Sequence, residues 1–215
     1  MRDEFLINNQ KIACVIDIRN SENHPELFDF VAQLQKDGVA KVIFLDANEN
    51  PYDSGYNRYP DPRQRELKQR LSEIKGVAVE QMVLGNGSDE IIDLLIRSIC
   101  EPGRDSIVVF EPGYSMYKVC ADINNVHAHS LSLDTHFLPD WEALRGVMEC
   151  DSNVKIIFIC TPNNPVGKSV PLAQIIDLCK AVNCWVVVDE AYIDFAEQGS
   201  MTQYLGCYKN LVVMQ

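Results

Sequence analysis

The sequence predicts an α/β fold with three layers: a mostly parallel sheet and helices on both of its faces. From residue 80 onward, short β-branched runs alternate with helical patterns, and this alternation is typical of parallel sheets. The runs are almost continuously apolar, which indicates strands buried on both faces. The composition agrees with a globular fold, because 47% of the 215 residues are apolar and 23% are charged.

Apolar runs from residue 80 onward predict the strands. They are residues 82–84, 106–110, 126–131, 154–160, 184–189 and 210–214. Ligands bind outside the carboxyl ends of the strands in such sheets. The residues that directly follow these runs are therefore the candidates for function.

Apolar spacing near 3.6 residues predicts helices between the strands. Four helices are predicted: one begins at Ser88, one begins near Tyr114, and the other two cover 139–149 and 171–182. The N-terminal part differs: it has an amphipathic pattern over 24–38, a strand-like run from 42 that leads into a polar turn, and a helix over 63–75 closed by Gly76. We therefore divide the chain into an N-terminal segment, 1–58, and a large domain, 59–215.

Charge and composition exclude several classes of protein. The net charge of −12 makes nucleic acid and anionic membrane surfaces poor partners. No apolar run reaches the length of a membrane span, and the first ten residues lack the pattern of a signal peptide. The eight cysteines include no C-x-x-C pair, and those in apolar runs, such as Cys160 and Cys184, indicate buried reduced thiols.

The H-x-H pattern at His127 and His129 would place two rings on one strand face. No cysteine or acidic residue stands beside them in the sequence to complete a metal site. We therefore expect a soluble, cytoplasmic protein without a metal ion.

The stretch LGNGSDEII combines Gly85 and Gly87 with a helix that opens at Ser88. Backbone N–H groups at a helix start bind phosphate well, and glycines allow close approach. A tight turn with a serine cap explains the same residues without a ligand.

Two further stretches follow predicted strands. FEPGYSMYKV places Tyr114 after 106–110, where its ring could stack on a planar ligand or simply pack. CTPNNPVGK follows 154–160, and its prolines bracket Asn163 and Asn164 in a rigid turn. Such a turn could serve only the fold, or it could hold an amide side chain in a fixed position for recognition.

The run WVVVDEAYIDF ends a strand on Asp189. A buried carboxylate is costly unless a cation or hydrogen-bond donors compensate it. Asp189 therefore takes part in a structural ion pair or cap, or it faces a protonated ring nitrogen.

Together these stretches match the parts of pyridoxal 5′-phosphate. The phosphate fits the helix start, and the ring face fits Tyr114. Asn164 and Tyr192 suit the phenolic oxygen, and Asp189 suits the pyridinium nitrogen, which must stay protonated for the ring to act as an electron sink.

The motifs ANENPY, NRYPDP, GNGSDE, PNNPVGK and VVVDEAYIDF resemble those of the histidinol-phosphate aminotransferases, a family of fold-type I pyridoxal-phosphate enzymes related to aspartate aminotransferase. The resemblance covers roughly residues 44 to 215. It implies a set of cofactor-binding residues: Ser88 and Asp89 for the phosphate, Tyr114 for the ring face, Asn164 and Tyr192 for the phenolic oxygen, and Asp189 for the pyridinium. Asn164, Asp189 and Tyr192 are also the candidate catalytic residues.

The resemblance further implies a homodimer, in which Tyr59 reaches the cofactor phosphate of the neighbouring subunit, and places Asn48 and Asn50 near the substrate. The implied reaction moves an amino group between glutamate and 2-oxoglutarate on one side and histidinol phosphate and imidazole-acetol phosphate on the other, in histidine biosynthesis. Two alternatives remain: a sister enzyme such as a threonine-phosphate decarboxylase or an aromatic aminotransferase, and a truncated, non-catalytic remnant.

Two departures from the family pattern bear on activity. Residues 1–43 do not show the family's usual N-terminal stretch, and the T-x-S-K motif with the Schiff-base lysine is not among these 215 residues. Lys168 and Lys209 do not occupy the position of that lysine. Since a misplaced nucleophile loses most of its advantage, we expect no activity from the 215-residue chain by itself.

Overall fold

The computed structural model describes residues 4–7, 10–15, 36, 41–44, 48–50 and 52–215. The chain divides into two compact units, 1–65 and 66–215. In the first unit, the strands β1 (Glu4–Ile7), β2 (Gln10–Val15) and β3 (Lys41–Phe44) form a sheet in that order. β1 and β2 are antiparallel, and β2 and β3 are parallel. The helix predicted over 24–38 lies outside the described residues except for Lys36.

Five parallel strands form the sheet of the second unit. They are β4 (Ser106–Glu111), β5 (His127–Ser132), β6 (Val154–Cys160), β7 (Trp185–Asp189) and β8 (Leu211–Met214). Their order is β5–β4–β6–β7–β8, and every neighbouring pair is parallel. All five agree with the predicted strands to within one residue at each end.

The helices are α1 (Arg65–Lys75), α2 (Ser88–Ile99), α3 (Met116–Ile123), α4 (Trp141–Cys150) and α5 (Leu172–Ala181). α4 begins two residues after the predicted start because the Asp140 side chain caps it, accepting from the N–H groups of Glu142 (3.1 Å) and Ala143 (3.0 Å). None of the helices in the described part of the chain has both the length and the apolar composition of a membrane span.

The central strands β4, β6 and β7 are buried on both faces, as predicted, whereas the edge strand β5 is not. Phe158 of β6 packs in a cluster with residues of α2 and α3. Its neighbours Ile157 and Ile159 pack in a second cluster with residues of α4 and α5. All three side chains are at most 1% exposed. The alternation of side chains along β6 therefore builds a three-layer α/β fold.

The order of the strands creates a switch point between β4 and β6. The chain runs from β4 to β5 on one side and then crosses back to β6 on the other side. Loops that leave the carboxyl ends of two such strands turn away from each other, which opens a crevice between them. The loops after β4, β6 and β7 carry the predicted site residues Tyr114, Asn164 and Tyr192, respectively.

The strand predicted over 82–84 is wrong for this chain. Met82 has extended angles (φ −109°, ψ 134°), but no described strand pairs with this segment. Val83 is 75% exposed. Because a strand forms only when a neighbour supplies hydrogen bonds, an apolar run without a partner stays an irregular segment.

Candidate active site

Asp189 ends β7 and is 3% exposed. Its Oδ1 accepts a hydrogen bond from the Ala191 N–H (3.0 Å), and its Oδ2 accepts one from the Tyr117 hydroxyl. None of the ion pairs among the described residues includes Asp189. The alternative of a structural ion pair therefore has no support in the described part of the chain, and the buried charge is available to a cationic ligand.

Tyr117 was not among the residues singled out from the sequence. It lies in α3, is 3% exposed, and stacks on Phe158 with ring centroids 4.6 Å apart and planes at 13°. Burial raises the pKa of Tyr117, and the negative charge of Asp189 raises it further. The signal that could have found it is the spacing of Tyr117, Cys120 and Ala121, which places these buried residues on one helix face.

Tyr114 lies in the loop after β4 and contacts the start of α2. Its hydroxyl donates to Asp89 Oδ1 (2.8 Å), and its ring meets Tyr117 edge-on at 5.6 Å. The hydrogen bond to Asp89 raises the pKa of Tyr114, and partial burial and the charge of Asp189 add to this rise. Asp89, Tyr114, Tyr117 and Asp189 thus form one connected series from the helix start to the end of β7.

The start of α2 depends on two glycines. Gly87 caps the helix with φ 86° and ψ 170°, a conformation that is essentially restricted to glycine. A Cβ at Gly85 would lie 2.7 Å from Cδ1 of Ile91. Ser88 is therefore the first helical residue and not the cap. The N–H groups of this first turn have no acceptor within the helix and suit an anion.

The turn after β6 is closed by its own hydrogen bonds. The Asn163 N–H donates to the Lys168 carbonyl (2.8 Å), and the Val170 N–H donates to Thr161 Oγ1 (2.9 Å). The side-chain amide of Asn164, in contrast, makes no hydrogen bond to any described residue. The turn therefore holds Asn164 in place and leaves its amide for a ligand.

A cavity of about 690 Å³ lies between this turn and the segment after β7. Asn164, Tyr192 and Phe195 are among its lining residues. The Thr161 N–H donates to the backbone carbonyl of Asp189 (2.8 Å), so the turn begins directly beside that residue. The fold thus brings Asn164 and Tyr192 together on one cavity, next to the strand end that carries Asp189.

Cys160 pairs with Asp189 across β6 and β7. Burial raises the pKa of the Cys160 thiol, and the charge of Asp189 raises it further. Cys160 was predicted to be buried, but it is only partly so, because it lies at the end of β6 where the sheet opens. Cys184 is buried as predicted.

Glu190 is a second buried carboxylate that was not assigned a role from the sequence. It is 1% exposed and accepts hydrogen bonds from the Met201 N–H (2.7 Å), the Ser200 hydroxyl and Gln215 Nε2 (2.9 Å). These contacts tie the segment after β7 to the end of β8. Glu190 is therefore a structural residue beside Asp189, the candidate for function.

Tyr59, Asn48 and Asn50 lie in the first unit. The backbone N–H of Tyr59 donates to Glu49 Oε1 (2.7 Å), while its side chain is 74% exposed. Asn50 Oδ1 accepts from the Tyr52 N–H (3.0 Å). The roles of these three residues toward a cofactor or substrate stay predictions.

Lys168 and Lys209, the two lysines considered as substitutes for the Schiff-base lysine, differ in position. Lys209 lies two residues before β8, at the end of the strand opposite to Met214, which pairs with Asp189. Lys168 lies in the turn after β6 and is exposed. The placement of Lys209 away from the crevice agrees with the expectation from the sequence.

His127 and His129 share a strand face, with ring centroids 4.6 Å apart. His129 Nε2 lies 2.8 Å from Asp151 Oδ2, which also accepts from the Ser106 hydroxyl (2.6 Å). This acidic partner could not be recognised in the sequence because it lies 22 residues further on. The described residues contain no group of three side chains arranged to hold a metal ion.

The arrangement fits pyridoxal 5′-phosphate in three respects. Within the described part of the chain, Asp189 is a buried carboxylate without a cationic partner, the side-chain amide of Asn164 beside Tyr192 makes no hydrogen bond, and the first N–H groups of α2 near Tyr114 have no acceptor. By their chemistry these groups would suit the ring nitrogen, the phenolic oxygen and the phosphate of the cofactor, respectively.

Comparison with known proteins identifies the family. A family model described as "Aminotransferase class I and II" matches residues 23–215. The histidinol-phosphate aminotransferase of Bacteroides fragilis is 48% identical over 178 residues, which are 83% of this chain and 51% of that protein. The enzyme of the same name from Parabacteroides distasonis is 50% identical over 173 residues, which are 80% of this chain and 50% of that protein. The chain thus spans about half the length of the curated relatives it matches.

Solved structures show the same fold. The histidinol-phosphate aminotransferase of Clostridium acetobutylicum superposes with a TM-score of 0.63 at 26% identity, over 73% of this chain and 46% of that one. The enzyme of Sinorhizobium meliloti, solved in complex with pyridoxal-5′-phosphate, superposes with a TM-score of 0.65 at 20% identity, over 73% of this chain and 43% of that one. These likenesses confirm the predicted α/β fold. The match of the family model over residues 23–215 shows that the chain belongs to the class I and II aminotransferase family.

Proposed function

We propose that the protein is a pyridoxal-phosphate-dependent histidinol-phosphate aminotransferase. It would transfer an amino group from histidinol phosphate to 2-oxoglutarate, which gives imidazole-acetol phosphate and glutamate, or catalyse the reverse reaction. The relatives of that name, which are 47–50% identical, support the choice of substrate. The observation that carries the proposal is Asp189, a buried carboxylate at the carboxyl end of β7 that has no cationic partner among the described residues.

In this proposal, Asp189 holds a proton on the ring nitrogen of the cofactor. The bound cofactor supplies a cationic ring that withdraws electrons from the substrate carbon. A carboxylate that is 3% exposed favours a cationic neighbour strongly, because water does not screen their attraction. The Ala191 N–H and the Tyr117 hydroxyl each donate to one oxygen of the carboxylate and so fix its orientation.

The other contacts follow from the same loops. Asn164 and Tyr192, which line one cavity, would donate hydrogen bonds to the phenolic oxygen. Tyr114 would lie against the ring face, and the turn at Ser88 and Asp89 would bind the phosphate through backbone N–H groups. We propose 59–215 as the cofactor-binding domain and 1–58 as the N-terminal segment.

A homodimer is part of the proposal. α1 buries none of its residues, and Leu67 (54% exposed) and Ile74 (62% exposed) lie on it, with Val83 (75% exposed) shortly after it. Exposed apolar side chains of this kind are typical of protein interfaces. The exposed side chain of Tyr59 is available to a neighbouring subunit. The cytoplasmic location stays a prediction from the sequence.

The proposal is tested with the product of the complete gene, purified with pyridoxal 5′-phosphate. Glutamate formation from histidinol phosphate and 2-oxoglutarate is measured for the wild type and for Asp189→Asn. We expect the variant to lose activity by about 100-fold or more, as when a preorganised charge is removed from an active site. Asp177→Asn, which changes an exposed carboxylate on α5, is the matched control and should retain full activity.

Other substrates separate the sister enzymes. The same preparation is offered threonine phosphate, with release of carbon dioxide as the readout, and aromatic amino acids, with amino transfer as the readout. A clear preference for either over histidinol phosphate would overturn the substrate assignment but leave the family assignment in place.

A further inference from the structure

We propose that Tyr117 is a positioning residue for the cofactor, and that its hydroxyl orients the Asp189 carboxylate toward the ring nitrogen. The inference rests on the proposed function, since it assigns a residue that acts through Asp189. Tyr117 would not touch the reacting atoms. It would orient the carboxylate of Asp189, which faces the ring nitrogen.

The contacts of Asp189 lead to this assignment. Each of its oxygens accepts one hydrogen bond, Oδ1 from the Ala191 N–H (3.0 Å) and Oδ2 from the Tyr117 hydroxyl. A carboxylate offers about four lone-pair sites, so each oxygen keeps one for a ligand. Donors on both oxygens fix the plane of the carboxylate. Among the described residues, Tyr117 is the only side chain that donates to Asp189.

Tyr117 is itself held on two sides. Its ring stacks on Phe158 (4.6 Å, 13°) and meets the edge of Tyr114 at 5.6 Å (80°). Burial raises the pKa of Tyr117, and the charge of Asp189 raises it further, so the hydroxyl stays protonated and remains a donor. The series from Asp89 through Tyr114 and Tyr117 to Asp189 therefore joins the proposed phosphate contact to the proposed ring contact.

A purely structural role would need only the ring. The surrounding cluster contains Phe158, Ile92 and Val187, and phenylalanine would fill the same apolar space. The hydroxyl is the part that reaches the functional carboxylate, and hydrogen bonds to ionised acceptors are about twice as strong as neutral ones. Tyr117 therefore orients the Asp189 carboxylate in addition to packing in the cluster.

The test uses two ligands that differ only at the ring nitrogen. One is pyridoxamine 5′-phosphate, which has no aldehyde and so does not react with lysines. The other is its 1-deaza analogue, in which a C–H replaces the ring nitrogen. The dissociation constant of each is measured by calorimetry on the cofactor-free product of the complete gene. We expect the wild type to prefer pyridoxamine 5′-phosphate, and Tyr117→Phe to lose about tenfold of that preference.

Asp189→Asn and the double variant complete the cycle. We expect the double variant to show the same ligand preference as Asp189→Asn, because Tyr117 acts through the carboxylate. This comparison also works if Tyr117→Phe alone is too unstable, since the double variant leaves no buried charge short of a donor.

Three results would count against the inference. If Tyr117→Phe binds both ligands more weakly by the same factor, the residue only packs. If the wild type prefers pyridoxamine 5′-phosphate and Tyr117→Phe keeps that preference, Tyr117 does not orient Asp189 and only the further inference fails. If the wild type shows no preference for the ring nitrogen, the role proposed for Asp189 fails, and the role of Tyr117 with it.

Discussion

Asp189 and Glu190 are neighbours in the chain, but their carboxylates serve opposite faces of the sheet. Asp189 accepts from Tyr117 of α3, whose ring belongs to the cluster around Phe158. Glu190 accepts from the N–H of Met201, which belongs to the cluster on the other face. Successive side chains along a strand point in opposite directions. Asp189 is therefore directed to the side of α3, where we propose the ligand, while Glu190 holds the segment that follows β7.

The different contacts of Asp189 and Glu190 explain why an apolar strand ends on two acidic residues. Glu190 holds the segment that follows β7, and that segment carries Tyr192 and Phe195 along the cavity. The position of the cavity wall thus depends on the structural carboxylate. In the proposed function, Asp189 supplies the negative charge that faces the ligand.

We expect Glu190→Ala to lower the free energy of unfolding by about 2–3 kcal/mol, because it leaves the buried Met201 N–H without its acceptor. Urea denaturation followed by circular dichroism measures the change. The control is Glu149→Ala, which removes an exposed acid on α4 and should shift stability by less than about 0.5 kcal/mol. Equal stabilities of the two variants would contradict the structural role of Glu190.

Gly87 and Gly146 provide a matched pair of glycine substitutions. Gly87→Ala should lower the free energy of unfolding by about 1–3 kcal/mol, because φ 86° and ψ 170° strain any residue with a Cβ. Gly146 lies inside α4, where an added Cβ meets nothing within 4 Å. Gly146→Ala should therefore raise stability by about 0.5–1 kcal/mol. Thermal unfolding of both variants checks the opposite signs, and a loss of the same size at both positions would refute the argument.

Much of the fold could be predicted because buried parallel strands leave a simple pattern. The runs at β6 and β7 are continuously apolar and end abruptly on polar residues, so both the strands and their carboxyl ends could be located. The position of Asp189 follows from that alone. The run at 82–84 has the same apolar character, but pairing decides whether a strand forms, and a single run does not reveal its partner.

The contacts within the site were less predictable than its location. Tyr117 and Asp189 lie 72 residues apart, and nothing local to either residue indicates the other. Glu190 could not be told from Asp189 by composition, since only the orientation at the end of β7 separates them. Likewise, the sequence does not indicate that Asp151 is the acidic partner of His129, because only the fold brings β5 beside the loop that precedes β6.

Asp151 should make the stability depend on pH in the acid range. The Ser106 hydroxyl, and then His129 and the Asn153 N–H, lower the pKa of Asp151 from 3.8 to about 2. A carboxyl whose folded pKa is depressed stabilises the fold above its unfolded pKa, and that contribution disappears as the pH falls from about 4 toward 2. We expect Asp151→Asn to cost on the order of 1 kcal/mol at pH 6.

Urea unfolding of the wild type and Asp151→Asn between pH 6 and pH 3 measures this dependence. The difference between the two proteins should shrink as the pH falls. Asp177→Asn, at an exposed site, should show a smaller difference with little change over the same range. A difference for Asp151→Asn that stays constant down to pH 3 would show that the carboxylate charge contributes nothing.

Asn210 should tolerate alanine better than aspartate. Its Nδ2 donates toward the carbonyl oxygens of Cys179, Val182 and Cys184, each at 3.1 Å, and so joins the end of α5 to the start of β7. Asn210→Ala removes these bonds and should cost about 1–3 kcal/mol. Asn210→Asp replaces the donor with a carboxylate that faces three carbonyl oxygens, so it should cost at least about 1 kcal/mol more at pH 7.

Unfolding free energies of both variants at pH 7 and pH 4 separate the two effects. Protonation of the introduced carboxyl restores a donor, so the extra cost of Asn210→Asp should decrease at the lower pH, while the cost of Asn210→Ala should stay constant relative to wild type. If aspartate and alanine prove equivalent at both pH values, the side-chain amide of Asn210 does not hold the carbonyls at the end of α5, and the junction with β7 must be stabilised by packing alone.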